Sequence, residues 1–156
     1  MTEALFAVGG NLADCRAALL RGSFAMVLAA SVPDDLDDSA LHAALDPVAE
    51  RLGLGLWLGA TGPAADGPRH GRVVVSVYGA DHPGIVRAVT QTLADLRVNV
   101  VDLSSRLVGD PALYLLAVEA ELPDKLTIEE LRMALTPVAT TQDLNLSVEA
   151  ADDEVM

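Results

Sequence analysis

Val73-Val74-Val75-Ser76-Val77-Tyr78-Gly79-Ala80-Asp81-His82-Pro83-Gly84-Ile85-Val86 is the stretch that decides the fold. β-branched residues and alternation from Val73 to Tyr78 predict a strand. Gly79 permits a tight turn that other residues resist. Asp81 suits the cap of a following helix, and Pro83 suits its first turn. Ile85, Ala88, Val89, Leu93 and Leu96 then fall on one helical face. The free amide N–H groups at the start of that helix point into the turn, where they can hold a carboxylate or another small anion.

Downstream, the pattern continues as helix 83–96, strand 98–107, a turn near Gly109-Asp110-Pro111, strand 112–120, helix 127–139 and strand 143–149. This order, strand-helix-strand-strand-helix-strand, is the split βαβ, ferredoxin-like pattern of an α+β fold. Upstream, residues 60–71 contain Gly-Pro twice and few large apolar side chains, which marks a linker. Before the linker, Thr2 to Val8 reads as a short helix ended by Gly9-Gly10. Asn11 to Leu20 and Phe24 to Ala30 read as a hairpin turning at Arg21-Gly22-Ser23. After an acidic loop from Pro33 to Asp38, Leu41, Ala44, Leu45, Val48 and Leu52 form a helical stripe. Leu54, Leu56 and Leu58 alternate with Gly55 and Trp57 as in a half-buried strand.

The two halves repeat one another. Thr2-Glu3-Ala4-Leu5 through Asn11-Leu12-Ala13-Asp14 lies over Thr90-Gln91-Thr92-Leu93 through Asn99-Val100-Val101-Asp102, an offset of 88 residues. Leu45-Asp46-Pro47-Val48-Ala49 lies over Leu135-Thr136-Pro137-Val138-Ala139, and Leu54 and Leu56 over Leu144 and Leu146, at an offset of 90. Residues 72–150 hold a complete unit and residues 1–59 an incomplete one, with an acidic tail at 151–156. Met1 lies over Val89, so the first copy lacks its opening strand and part of its first helix. In this topology the opening strand sits inside the sheet, and without it backbone edges stay unpaired. Three arrangements accommodate this. The sequence could begin downstream of the protein's natural start, a partner could donate a strand, or the first half could rearrange. The first is the expectation, because the break falls inside a helix.

The 156 residues allow one ordinary domain or two small ones, and 51% apolar content suffices for a core. A net charge of -13, with no Lys/Arg-rich stretch to offset it, argues against direct nucleic-acid binding. Cys15 is the only cysteine, so an internal disulfide and a cysteine metal cluster are excluded; it reads as a small buried side chain. No apolar run approaches the ~18 residues of a membrane span and no basic leader is present, which leads to the expectation of a cytoplasmic protein. Catalytic patterns are absent. Ser104-Ser105 has no placed histidine or nucleophile elbow. His42, His70 and His82 are not spaced as metal ligands. The Gly79–Gly84 turn has no Gly-Lys-Ser/Thr, and Asp81 would oppose a polyphosphate. No catalytic residue, metal or cofactor is expected.

Gly79-Ala80-Asp81-His82-Pro83-Gly84-Ile85-Val86, then Asn99-Val100-Val101-Asp102, then the hairpin through Leu113-Tyr114-Leu115-Leu116 together resemble an ACT module. Gly10-Asn11-Leu12-Ala13-Asp14 and the hairpin through Gly22-Ser23-Phe24-Ala25-Met26 extend the resemblance to the first half. The whole chain thus resembles tandem ACT proteins of the glycine cleavage system transcriptional repressor type. The resemblance implies two ferredoxin-like βαββαβ modules, the first incomplete, with a regulatory, non-catalytic role. It implies a small amino acid, glycine being the first choice, bound at a seam between modules, in a homo-oligomer that signals to a regulatory protein partner. The turn residues Gly79, Ala80, Asp81, His82, Pro83, Gly84 and Ile85 would line the site with Asn99. From the first copy only Asn11 carries over. Two alternatives stand beside this reading: a ligand-free dimerisation or scaffold module, and a detached regulatory part of a phosphatase or folate-linked hydrolase.

From the residues themselves, Asp81 reads mainly as a cap and His82 as a surface side chain. Asn99 is the best ligand contact, set against a local turn bond. Asp14 and Asp102 read as edge or turn residues. Trp57, out of phase with the Leu54-Leu56-Leu58 face, reads as a packing or interface residue.

Overall fold

The computed structural model describes residues 1–62 and 70–151. Most of the 60–71 linker and of the acidic tail lie outside the described residues. The chain divides into two compact units, Met1–Gly62 and Pro63–Met156.

The second unit is built on β3 (His70–Ala80), α3 (Ile85–Asp95), β4 (Asn99–Val108), β5 (Leu113–Leu122), α4 (Ile128–Thr141) and β6 (Leu144–Ala150). Its sheet has the order β4-β5-β3-β6, with β3 central and antiparallel to both β5 and β6. This is the βαββαβ arrangement expected from the sequence. The valine alternation puts Val73, Val75 and Val77 on one face, where they meet Ile85, Val89 and Leu93 of α3 and Leu131 and Leu135 of α4 in one buried cluster. Leu116, Val118 and Ala120 of β5 and Val148 of β6 complete that layer. Thr127 starts α4 through a reciprocal capping box: its hydroxyl accepts from the Glu130 amide, and the Glu130 carboxylate accepts from the Thr127 amide. The Glu130 carboxylate accepts from the Thr127 amide at 2.8 Å and from the Thr127 hydroxyl at 2.9 Å, and these two bonds hold it below its ordinary range.

The first unit contains α1 (Thr2–Ala7), β1 (Asn11–Leu20), β2 (Ser23–Ser31) and α2 (Asp38–Leu52). The expected hairpin is present, with Leu20 paired to Ser23 across the turn. Asp37 caps α2 through the Ala40 amide at 2.7 Å. Helix α1 packs on α2, and Leu5, Leu45 and Ala49 are buried.

The duplication is visible in backbone detail that sequence matching did not reach. β1 slips register between Leu12 and Asp14, and β4 between Val100 and Asp102, both 88 residues on. The left-handed residues Gly9 and Arg97 share that offset, and Gly53 and Asp143 share the offset of 90. The amides of Gly10 and Val98 each return to a carbonyl five residues back, Leu5 and Leu93, at 2.9 Å. The turns before α2 and α4 match too, with Leu36 bonded to the Pro33 carbonyl and Leu126 to that of Pro123.

Three expectations need correction. Residues 54–58 form no strand. Leu54, Leu56 and Leu58 are half-buried and alternate with exposed Gly55 and Trp57, so the phase was right. However, their counterpart β6 pairs only with β3, and no described residue of the first unit plays the part of β3. Without a partner, an extended segment has no ladder. Cys15 is exposed, not buried, because it lies on β1, which is exposed along its whole length. The helix after the central turn begins at Ile85 rather than Pro83, with Gly84 as its N-cap, and Asp81 makes no cap bond. Trp57 is 85% exposed, on the opposite side of this segment from the half-buried leucines, as its phase in the sequence implies.

Candidate functional site

The central strand delivers its C-terminal end to the turn that opens α3. Gly79 lies inside β3, opposite Tyr114 of β5 and Leu144 of β6. Its role differs from the turn-making one expected: a Cβ there would stand 2.6 Å from Leu144 Cδ2 and 3.1 Å from the Asp143 carbonyl oxygen. The glycine is needed for close approach of two strands. The conformational demand falls instead on Gly84, whose φ is 99°.

Ala80, Asp81, Pro83 and Gly84 are exposed around this turn. His82 is half-buried rather than free on the surface. Its Nε2–H donates to the Gln142 carbonyl at 3.0 Å, tying the turn to the C-terminal end of α4. Gln142 Oε1 is buried without a hydrogen-bond partner among the described residues. Ile85 belongs to the core and contributes only its backbone to the turn surface.

The start of α3 differs from the other two long helices. Asp37 caps α2 and Thr127 caps α4, whereas no side chain caps α3 and its first turn carries no acidic residue. The amides of Ile85, Val86 and Arg87 precede the first i→i−4 bond, made by Ala88 to the Gly84 carbonyl at 2.9 Å. They form a small donor-rich, electropositive end on a strongly acidic chain.

Asn99 is not beside this turn. It opens β4 opposite Glu121, and its Nδ2 donates to Glu121 Oε2 at 3.1 Å. Glu121 is 9% exposed and its other oxygen lies 3.7 Å from Arg72 Nε. Gly79 is opposite Tyr114, so turn and asparagine are seven residues apart along β5, about 24 Å at roughly 3.4 Å per residue. The expected site residues therefore fall into two groups at opposite ends of one sheet. The Arg72–Glu121–Asn99 cluster and the His82–Gln142 link were not foreseen. Glu121 sits in an ordinary strand pattern and Gln142 follows a helix; only their spatial neighbours reveal what they do.

In the first unit, Asn11 opens β1 opposite Ser31, as Asn99 faces Glu121. Ser31 Oγ donates to the Asn11 carbonyl at 3.5 Å. Thr2, Leu5, Phe6, Gly10 and Asn11 help line an open concavity of about 400 Å³ there. Among the described residues no group of His, Cys, Asp and Glu is arranged to hold a metal ion, and no helix is long and apolar enough to cross a membrane.

Comparison with known proteins agrees with this architecture. UPF0237 protein YjhC of Lactococcus lactis subsp. lactis (strain IL1403) is 42% identical over 53 residues, which covers 34% of this chain and 61% of that protein. The match thus spans less than two thirds of that relative. A solved structure of an unknown protein from Galdieria sulphuraria superposes with a TM-score of 0.81 at 25% identity, covering 96% of this chain and 87% of the other. A structure described as "putative glycine cleavage system transcriptional repressor" superposes with a TM-score of 0.68 at 18% identity, covering 96% and 86%. At that identity the likeness speaks for fold alone. The family profile described as ACT domain matches residues 71–149, just over half of the sequence and the whole of the second unit's sheet core. The chain belongs to the ACT domain family.

Proposed function

We propose that this chain is a non-catalytic regulatory protein that binds a small amino acid, glycine being the first candidate, between ACT modules and relays occupancy to a partner protein. The observation that carries the reading is the uncapped start of α3 behind Gly84, where free amides await an anion on a chain of net charge -13. An α-carboxylate is the right size and charge for that position. Its ammonium group needs oxygen acceptors, which an asparagine side chain supplies. Asn99 of the same module is about 24 Å away, far beyond the span of a small amino acid. A site using both groups therefore draws the turn from one module and the asparagine from another, and two copies of the chain packed head to tail along α3 meet that need. The exposed apolar side chains Val100, Val101, Leu103 and Leu107 of β4 favour such self-association.

Transmission requires that the ligand prefer one assembly over another, and a coupling of about 1–3 kcal/mol suffices. The test is a thermal-shift screen of the twenty amino acids. At 100 times the dissociation constant a specific ligand adds about 2.7 kcal/mol. One small amino acid should raise the melting temperature, and Asn99→Ala should remove that rise. A flat screen would reject amino-acid binding and leave a ligand-free dimerisation module.

A further inference from the structure

We infer that Glu121 is a positioning residue that fixes the Asn99 side-chain amide with its Oδ1 free to face a ligand, so that this end of the site takes ligands that donate an ammonium N–H and rejects those that cannot donate. The inference rests on the reading of Asn99 as a ligand contact; it adds which atom makes the contact and what holds that atom in place. The residues form a row across three strands. Asn99 of β4 stands opposite Glu121 of β5, and Glu121 stands opposite Arg72 of β3. Directly opposed residues project on the same face of a sheet. Glu121 is 9% exposed. Its Oε2 accepts from Asn99 Nδ2 at 3.1 Å, and its Oε1 lies 3.7 Å from Arg72 Nε. The carboxylate is thus held from two sides and does not swing with the asparagine.

An asparagine amide can turn either way, donating through Nδ2 or accepting through Oδ1. Glu121 removes that choice. A carboxylate accepts hydrogen bonds and offers none, so turning the amide would set Oδ1 against Oε2 and take a donor from a nearly buried charge. Nδ2 is therefore committed to Glu121. Asn99 itself is exposed, and Oδ1 is the atom left for a ligand. The carboxylate behind the amide adds negative charge, less the part that Arg72 offsets, and this favours an ammonium over a neutral donor. The first unit lacks the device. Ser31 stands opposite Asn11 where Glu121 stands opposite Asn99, and its hydroxyl donates to the Asn11 backbone carbonyl at 3.5 Å. A hydroxyl both donates and accepts, so Ser31 imposes no orientation on the Asn11 amide. Selection for an ammonium group belongs to the Asn99 end alone.

The experiment is NMR on the full chain, first without ligand. The Asn99 Nδ2 protons should exchange with water at least tenfold more slowly than those of Asn11; equal exchange overturns the inference. Titrations then compare glycine with glycolate and acetate, which keep the carboxylate but offer a hydroxyl or no donor; for alanine or serine as ligand, the matching 2-hydroxy and unsubstituted acids serve. The amino acid should bind at least tenfold more tightly than its hydroxy analogue, and the acid without a donor more weakly still. Equal binding of amino and hydroxy acid overturns the inference. These results come from the parent chain and stand whatever a variant does to the fold. Glu121→Gln keeps the shape but lets the Asn99 amide turn, and should reduce the preference to threefold or less. Adding Asn99→Asp to Glu121→Gln reverses the polarity of the bond, turns an acceptor outward again, and should restore a tenfold preference, which a merely structural role of Glu121 does not produce. A preference unchanged by Glu121→Gln, or not restored by the second substitution, overturns the inference and leaves amino-acid binding standing. A parent chain that binds no amino acid rejects amino-acid binding itself, and the inference with it.

Discussion

Gly79 and Gly84 lie five residues apart and are glycine for different reasons. Gly79 is small because β6 passes against it; Gly79→Ala would drive a Cβ into Leu144 and the Asp143 carbonyl. The expected loss is about 1–3 kcal/mol of stability in the second unit, read by urea denaturation, and Leu144→Ala should recover part of it. Gly84 is left-handed, with no atom near enough to obstruct a Cβ. Gly84→Ala should therefore cost about 1–2 kcal/mol through backbone strain alone, and no partner substitution should recover it. At the far end of the sheet, Asn99→Ala removes a donor from the buried Glu121 carboxylate and should cost about 1–3 kcal/mol even without ligand. That loss must be subtracted before a weaker ligand response is assigned to Asn99. Sequence patterns showed that these residues matter. The distinction between a turn glycine and a close-approach glycine, or between a ligand asparagine and one that satisfies a buried carboxylate, depends on neighbours far away in the chain.

Helices and strands were legible where period and punctuation agreed. The β3 alternation, the α3 stripe and both hairpins appear in the structure within a few residues of the expected bounds. The failures came where an element depends on something outside itself. Residues 54–58 have strand alternation but no ladder partner, and Asp81 has a capping side chain but the helix begins further on. The start of α4, by contrast, is set locally: Thr127-Ile128-Glu129-Glu130 spells a capping box. Thr127→Ala should destabilise the second unit by about 1 kcal/mol. The carboxyl of Glu130 titrates below its ordinary value of 4.5 in the fold. Its contribution is therefore complete above pH 4.5 and is lost as pH falls through the lowered folded value. The stability gap between the parent chain and Glu130→Gln should be constant at neutral pH and close in acid, as measured by denaturation across a pH series.

At the scale of the whole molecule, the two units share a plan but not a core. The second unit closes a layer of valines and leucines between its sheet and two helices, whereas the first buries Leu5, Leu45 and Ala49 and leaves its hairpin exposed. Hydrogen exchange should accordingly protect β3 and β5 strongly and β1 weakly. Leu131→Ala should cost about 2–5 kcal/mol in the cooperative unfolding of the second unit. Fold and repeat were legible in sequence because they rest on spacing, and the family through the resemblance carried by Gly79–Val86 and Asn99–Asp102. The division of the expected site between two ends of the sheet was not, because it depends on strand register. That division makes the central claim, a small amino acid held between modules, open to a direct measurement: an NMR titration of the full chain with glycine, followed by the other small amino acids. The account predicts saturable shifts in the amides of Gly84 to Arg87 and in the Asn99 side chain together, with one dissociation constant at both ends. Shifts at neither end, or at one end alone, would contradict it.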